Sequence, residues 1–266
     1  LTKIYAVANQ KGGVGKTTTC VNLAASLVAT KKRVLLVDLD PQGNATMGSG
    51  IDKNDVDLSI YDLLTQRAEP GDCILFSDSG KYDVIPANGD LTAAEVEMLS
   101  LDNKERLLQQ ALQKIRDRYD YIIIDCPPAL NMLTVNGLTA CDGVIIAMQC
   151  EYYALEGLSA LVTTINQIQQ VLNPQLRIEG LLRTMYDPRN SLTNDVSAQL
   201  LQHFGDRVYR TCIPRNVRLA EAPSFGQPVL AFDRVSKGAI AYLALAGEII
   251  RRNEPRHPPS ESAQSI

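Results

Sequence analysis

The sequence predicts an α/β fold: a single doubly wound, mostly parallel sheet flanked by helices. Three observations carry this. Four short runs, at 4–8 (IYAVA), 33–38 (RVLLVD), 121–125 (YIIID) and 143–148 (GVIIAM), are almost wholly apolar, as strands covered on both faces read. Between them lie longer stretches with apolar residues at helical spacing. A glycine-rich stretch joins the first run directly to the first of those helices, so ligands are expected where such folds place them, at the carboxyl ends of the strands. At 266 residues and 29.1 kDa the chain is long enough for one large domain or two small ones.

The joining stretch, VANQKGGVGKTTT at 7–19, is read as strand, phosphate loop and helix. Gly12, Gly13 and Gly15 allow backbone conformations closed to other residues, so that successive N–H groups can converge on phosphate oxygens. The start of the next helix adds unpaired N–H groups and partial positive charge. Lys16 supplies a full charge to the β and γ phosphates, and the Thr17 hydroxyl is placed to ligate Mg²⁺; Val14 and Thr18 complete the nucleotide-binding stretch. In the general pattern G-x-x-x-x-G-K-[ST] the first glycine would fall at position 10. Here that residue is Gln10, and a second lysine, Lys11, follows it.

Helical spacing at 17–29 is closed by Lys31 and Lys32, charges suited to a helix C-terminus. The strand at 33–38 ends in Asp38-Leu39-Asp40-Pro41-Gln42-Gly43-Asn44, two carboxylates one residue apart on a loop able to respond to a γ-phosphate. From 45 to 101 no chemistry is legible; 59–64 and 91–99 read as helices and 73–76 and 82–85 as short strands. One amphipathic helix is expected over 103–118, with Asp102 or Asn103 as its N-cap. The strand at 121–125 ends in Asp125, followed by Cys126-Pro127-Pro128, the arrangement in which an acid holds magnesium through water. Beyond 143–148, helices are expected to residue 172 and over 192–204 (N-cap Ser191) and 237–252, with a strand at 177–185. The domain is expected to span 1–252, and the polar, proline-containing tail 253–266 to be disordered.

Bulk properties narrow the classes. Hydrophobic residues at 45% and charged at 21% are ordinary for a folded domain. No run approaches the length of a spanning helix and no leader is legible, so a cytoplasmic location is expected. The six cysteines form no C-x-x-C pair and there are two histidines; buried reduced thiols are expected. Net charge is −4, but residues 176–256 carry 12 Lys+Arg against 8 Asp+Glu, so a basic face on an acidic protein is possible.

The loop form K-G-G-V-G-K-T-T at 11–18 resembles the deviant Walker A motif of the ParA/MinD group of ATPases. Two further segments, TMYDPR at 184–189 and IPRNVRLAEAPSFG at 213–226, are similar to the small chromosomal ParA, or Soj, proteins. The resemblance implies ATP and Mg²⁺ as ligands and slow hydrolysis in a nucleotide-sandwich homodimer. Lys11 would act on the partner's nucleotide and Lys16 on its own, Asp40 would orient the attacking water, and Asp38 would lie near the metal with Asp125 and Thr17. Pro214 and Asn216 would approach the adenine, and the segment at 149–157 would lie near the dimer interface. Arg189, Arg215 and Arg218 become candidates for contacts to nonspecific double-stranded DNA, with ion pairs inside the dimer interface as the alternative. A ParB-type centromere-binding partner is implied, and with it a nucleoid-associated location. A MinD-like membrane association is the rival reading, which Pro255, Pro258 and Pro259 oppose by breaking any terminal amphipathic helix; a cargo other than the chromosome stays open.

Overall fold

The computed structural model describes residues 1–254. In chain order the elements are β1 (Lys3–Ala8), α1 (Lys16–Ala29), β2 (Val34–Asp38), α2 (Asn44–Gly48), α3 (Ile60–Leu64), β3 (Leu75–Ser77), β4 (Tyr82–Ile85), α4 (Leu91–Met98), α5 (Leu107–Gln113) and β5 (Tyr121–Asp125). There follow α6 (Met132–Ala140), β6 (Gly143–Gln149), α7 (Ala154–Val171), β7 (Arg177–Tyr186), α8 (Ser191–Phe204), β8 (Val208–Pro214), α9 (Val217–Glu221), α10 (Val229–Phe232) and α11 (Lys237–Asn253). The strands form one sheet in the order β3-β4-β2-β5-β1-β6-β7-β8. Every neighbouring pair is parallel except β3 with β4.

The apolar runs conceal a period of two. Ile4, Ala6, Leu35, Val37, Ile122, Ile124, Val144 and Ile146 belong to one core, while Tyr5, Val7, Leu36, Ile123, Ile145 and Ala147 belong to the other. The first is closed by residues such as Leu64, Met98, Leu108, Leu133, Leu161 and Val196, the second by Leu23 and Leu27 of α1 and Tyr242 and Leu245 of α11. Both faces are covered, which is why alternation never showed in the sequence.

Several expectations need correction. The helix expected over 103–118 is broken: 3-10 turns at Lys104–Arg106 and Arg116–Arg118 flank the seven residues of α5, and Asn103 is left-handed (φ 54°) with no side-chain cap bond. Its cause lies in α6. The Leu108 N–H donates to Asn136 Oδ1 at 3.1 Å while Asn136 Nδ2 donates to the Lys104 carbonyl at 2.8 Å. A side-chain amide thus replaces the bond that a continuous helix would make between those two groups. The N-cap of α8 is Asn190, whose Oδ1 accepts from the Thr193 N–H, rather than Ser191. The short strand expected at 73–76 lies at Leu75–Ser77. The elements α2, α6, α9, α10 and β8 were not anticipated. Of these, α6 owes its place to Gly137, where a Cβ would meet Cys126 Sγ at 3.0 Å and Leu39 Cδ1 at 3.1 Å. The end of α11 is Asn253, whose Oδ1 accepts from the Tyr5 hydroxyl at 2.9 Å. The disorder expected of the tail concerns residues that, from 255 on, lie outside the described ones.

Edge strand β8 carries its own strain relief. Leu181 faces Val208 and Arg183 faces Cys212, so four steps of β8 match two of β7, a bulge. The displaced N–H groups of Arg210 and Thr211 donate to Glu248 Oε1 and Oε2, both at 2.9 Å, and the Thr211 hydroxyl and Arg252 add bonds at 2.8 Å. Burial pushes the Glu248 carboxyl up, but these donors outweigh it and hold the group below its usual range. A depressed carboxyl contributes stability above its unfolded pKa of about 4.3 and loses it as pH falls through the folded value. Glu248→Ala is therefore expected to lower unfolding free energy by about 3 kcal/mol at pH 7, since it orphans two backbone donors. The gap from the parent should narrow below pH 4; equal urea midpoints at pH 7 would refute this.

Candidate nucleotide-binding and hydrolysis site

The carboxyl ends of β1, β2, β5 and β7 open into a cleft of about 530 Å³, whose walls include Gly12, Gly13, Gly15, Lys16, Thr17, Thr18, Asp40, Met185, Pro214, Arg215 and Asn216. A larger hollow of about 820 Å³ between β8 and α11 contains none of the phosphate-loop residues, so size does not identify the site. In the loop, Gly13 (φ 72°) and Gly15 (φ 88°) are left-handed, and Gly15 starts α1, with its carbonyl accepting from the Thr19 N–H at 2.9 Å. Lys16 is only 7% exposed. Its ammonium donates to the Lys11 carbonyl at 2.9 Å. Burial draws its pKa down, opposed chiefly by the charge of Asp125. Val14 is buried with its side chain outside the cleft wall.

Asp38 and Asp125 are register partners at the ends of β2 and β5, and both are fully buried. Asp125 Oδ2 accepts from Thr17 Oγ1 at 2.7 Å, and Oδ1 takes a weak bond from Cys20 Sγ at 3.5 Å. Burial, then the charge of Asp38, pushes the Asp125 carboxyl up to about 8; burial likewise raises Asp38 to about 6. Two carboxyls pressed together out of water are a place where a divalent cation would be stabilising. Asp38, however, is already engaged. Its Oδ2 accepts from the Thr46 N–H (2.9 Å) and hydroxyl (2.7 Å), and its Oδ1 from the Asp40 N–H at 3.1 Å. The structure thus gives Asp38 the work of tethering the Asp40 loop, while Thr17 and Asp125 are hydrogen-bonded to each other.

Asp40 reaches the cleft on the loop that follows β2. Its Oδ1 accepts from the Gln42 N–H at 2.9 Å. Gly43 is left-handed (φ 64°), and a Cβ there would lie 2.6 Å from the Ala87 carbonyl oxygen, so only glycine fits. Asn216 Oδ1 is buried in the cleft wall without a hydrogen-bond partner. An orphaned buried acceptor is costly unless something donates to it, and the exocyclic amine of adenine is a suitable donor.

The remaining candidates separate. Lys11 is absent from the cleft wall and is ion-paired to Glu151, with its side chain 55% exposed; Tyr152 and Tyr153 beside that glutamate are exposed. Arg189 forms a two-pronged pair with Asp187, which is held down to about 2 by that guanidinium. Arg218 is paired with Glu221 at 2.9 Å and with Asp233 at 3.1 Å. Arg215 is exposed on the cleft wall and has no ion pair among the described residues. Sequence reasoning missed Cys20 and Thr46, and it named the segments that hold Glu151 and Thr184 without the contacts those two residues make. Burial raises the Cys20, Cys126 and Cys141 thiols, and no group of three or more His, Cys, Asp or Glu poised to hold a metal occurs among the described residues. No described helix is long and apolar enough to cross a membrane.

An arrangement that grips a polyphosphate by backbone and lysine, and holds a threonine hydroxyl on a strand-end carboxylate, defines a P-loop nucleoside triphosphatase with a lysine at each end of its loop. A family model described as an AAA domain matches residues 2–178. The chain is 53% identical to sporulation initiation inhibitor protein Soj of Bacillus subtilis over 93% of this chain and 98% of that one. It is 48% identical to chromosome partitioning protein ParA of Myxococcus xanthus over 96% and 90%. Among solved structures, cobyrinic acid a,c-diamide synthase from Mycobacterium smegmatis with bound ATP analog and magnesium is 39% identical, with a TM-score of 0.84 over 95% of this chain and 96% of that one. Septum site-determining protein MinD from Pyrococcus horikoshii, complexed with Mg-ADP, is 25% identical with a TM-score of 0.79 over 94% and 96%. The chain belongs to the ParA/Soj family of chromosome-partitioning ATPases.

Proposed function

We propose that this ATPase takes ATP·Mg²⁺ into the cleft, pairs with a second copy across the bound nucleotide, grips duplex DNA nonspecifically as a dimer, and releases it on hydrolysis. The observation that carries the reading is the placement of the two lysines. Lys16 lies inside its own loop, whereas Lys11 stands outside the cleft wall, half exposed and held by Glu151. An exposed pair of this kind is worth little, typically below about 1 kcal/mol. Glu151 can therefore surrender Lys11 to a stronger anion, the phosphates of a facing subunit. Magnesium would supply a Lewis acid that neutralises charge on the phosphates, held at Thr17 with Asp125 behind it.

Asp40 orients the attacking water, and its loop, drawn toward Asp38 and Thr46, is the part a ParB-type partner would have to stiffen to raise the slow intrinsic rate. Arg189, Arg215 and Arg218 supply phosphate contacts, two of them after exchanging carboxylate partners. Cycles of grip and release driven by that partner would move a chromosome or plasmid over the nucleoid.

The test is sedimentation and duplex titration with a non-hydrolysable ATP analogue. The loaded parent is expected to dimerise and to bind DNA with a slope of log affinity against log salt of about −5, three contacts per subunit at about −0.9 each. Arg218→Glu should dimerise and lose DNA. A loaded parent that stays monomeric and binds duplex no better than the empty protein would overturn the proposal.

A further inference from the structure

Val14 lies between two left-handed glycines, Gly13 and Gly15. A peptide plane in such surroundings has little steric reason to prefer one face over the other. Because the unit is planar and trans, the Val14 carbonyl and the Gly15 N–H point in opposite directions. Whatever holds the carbonyl therefore aims the N–H.

The neighbouring loop carbonyls have local holders: that of Lys11 accepts from Lys16 Nζ, and that of Gly15 from the Thr19 N–H. The Val14 carbonyl has a distant one. Thr184 Oγ1 donates to it at 2.7 Å from 170 residues away. Thr184 is 2% exposed at the carboxyl end of β7, and its Cβ and methyl lie 3.6 Å from the position a Gly15 Cβ would take. The next residue, Met185, is left-handed (φ 47°), an uncommon state for a non-glycine residue that marks this strand end as tightly held. Both residues wall the nucleotide cleft.

From this we infer that Thr184 is a positioning residue for the phosphate cradle: its hydroxyl holds the Val14 carbonyl outward, so that the Gly15 N–H faces into the cleft before nucleotide arrives. This rests on the ATPase reading and adds a specific residue to it. Its contribution belongs to ground-state binding of the phosphates, so KM should change and kcat should not.

The experiment compares Thr184→Val, which keeps shape and methyl packing but loses the donor, with Thr184→Ser, which keeps the donor. MgADP binding is measured by calorimetry, and KM and kcat for ATP alongside. Thr184→Val is expected to weaken MgADP about tenfold and raise KM by a similar factor, the loss of one hydrogen bond that leaves a buried carbonyl unpaired, with kcat within about twofold of the parent. Thr184→Ser should return both constants to within about threefold. If the parent itself binds no MgADP, the ATPase reading fails. If the parent binds and Thr184→Val binds equally well, or Thr184→Ser fails to rescue, the inference about Thr184 falls and the ATPase reading stands.

Discussion

Lys16→Ala is expected to abolish ATP binding at any practical concentration, a loss of at least about 100-fold in affinity. The ammonium is held inside the loop by the Lys11 carbonyl, with burial opposing its charge and Asp125 supporting it. A cation kept in a water-poor cleft is worth far more to a polyphosphate than one at the surface, and about 2.7 kcal/mol already corresponds to 100-fold. The substitution also leaves the Lys11 carbonyl without its donor, so the empty loop should loosen. Titration with a fluorescent ATP analogue reads the result directly. Parental affinity in this variant would remove the assignment of the cleft, and with it the role given to every residue around it.

Asp40→Ala is expected to separate binding from chemistry. The carboxylate lines the cleft but holds the loop only through a bond to the Gln42 N–H at 2.9 Å; the tether to Asp38 runs through the Asp40 backbone and survives the change. ATP affinity should therefore stay within a few-fold of the parent. Hydrolysis should fall by about 10² to 10³, the usual scale for losing a group that orients or deprotonates the nucleophile. On the proposed cycle the loaded dimer then persists on DNA and no longer responds to the ParB-type partner. Phosphate release at the parental rate would discard the role of Asp40 and leave that of Lys16 intact.

Much of the site was legible because its signals are local. Strand, glycines and lysine are contiguous over 7–19, and Asp38 and Asp125 sit at the ends of apolar runs whose burial on both faces positions them as register partners. The helix over 103–118 failed for the opposite reason. Its amphipathic spacing is real, but Asn136, about thirty residues away, inserts its amide between Lys104 and Leu108, and no window on the helix itself contains that information. The strand β8 was hidden in the same way. Its bulge is satisfied by Glu248, on a helix 37 residues further along.

The amino-acid sequence by itself determined the layered fold, the phosphate loop and the identity of the acids beside it, because periodicity and glycine placement act over a few residues of chain. Tertiary structure alone decided which distant groups hold those residues: Thr184 on Val14, Glu151 on Lys11, Thr46 on Asp38, and Asp233 on Arg218. A hydrogen bond or ion pair between a side chain and a group on a distant strand leaves no periodic trace, and its partners meet only once the sheet has brought the strand ends together.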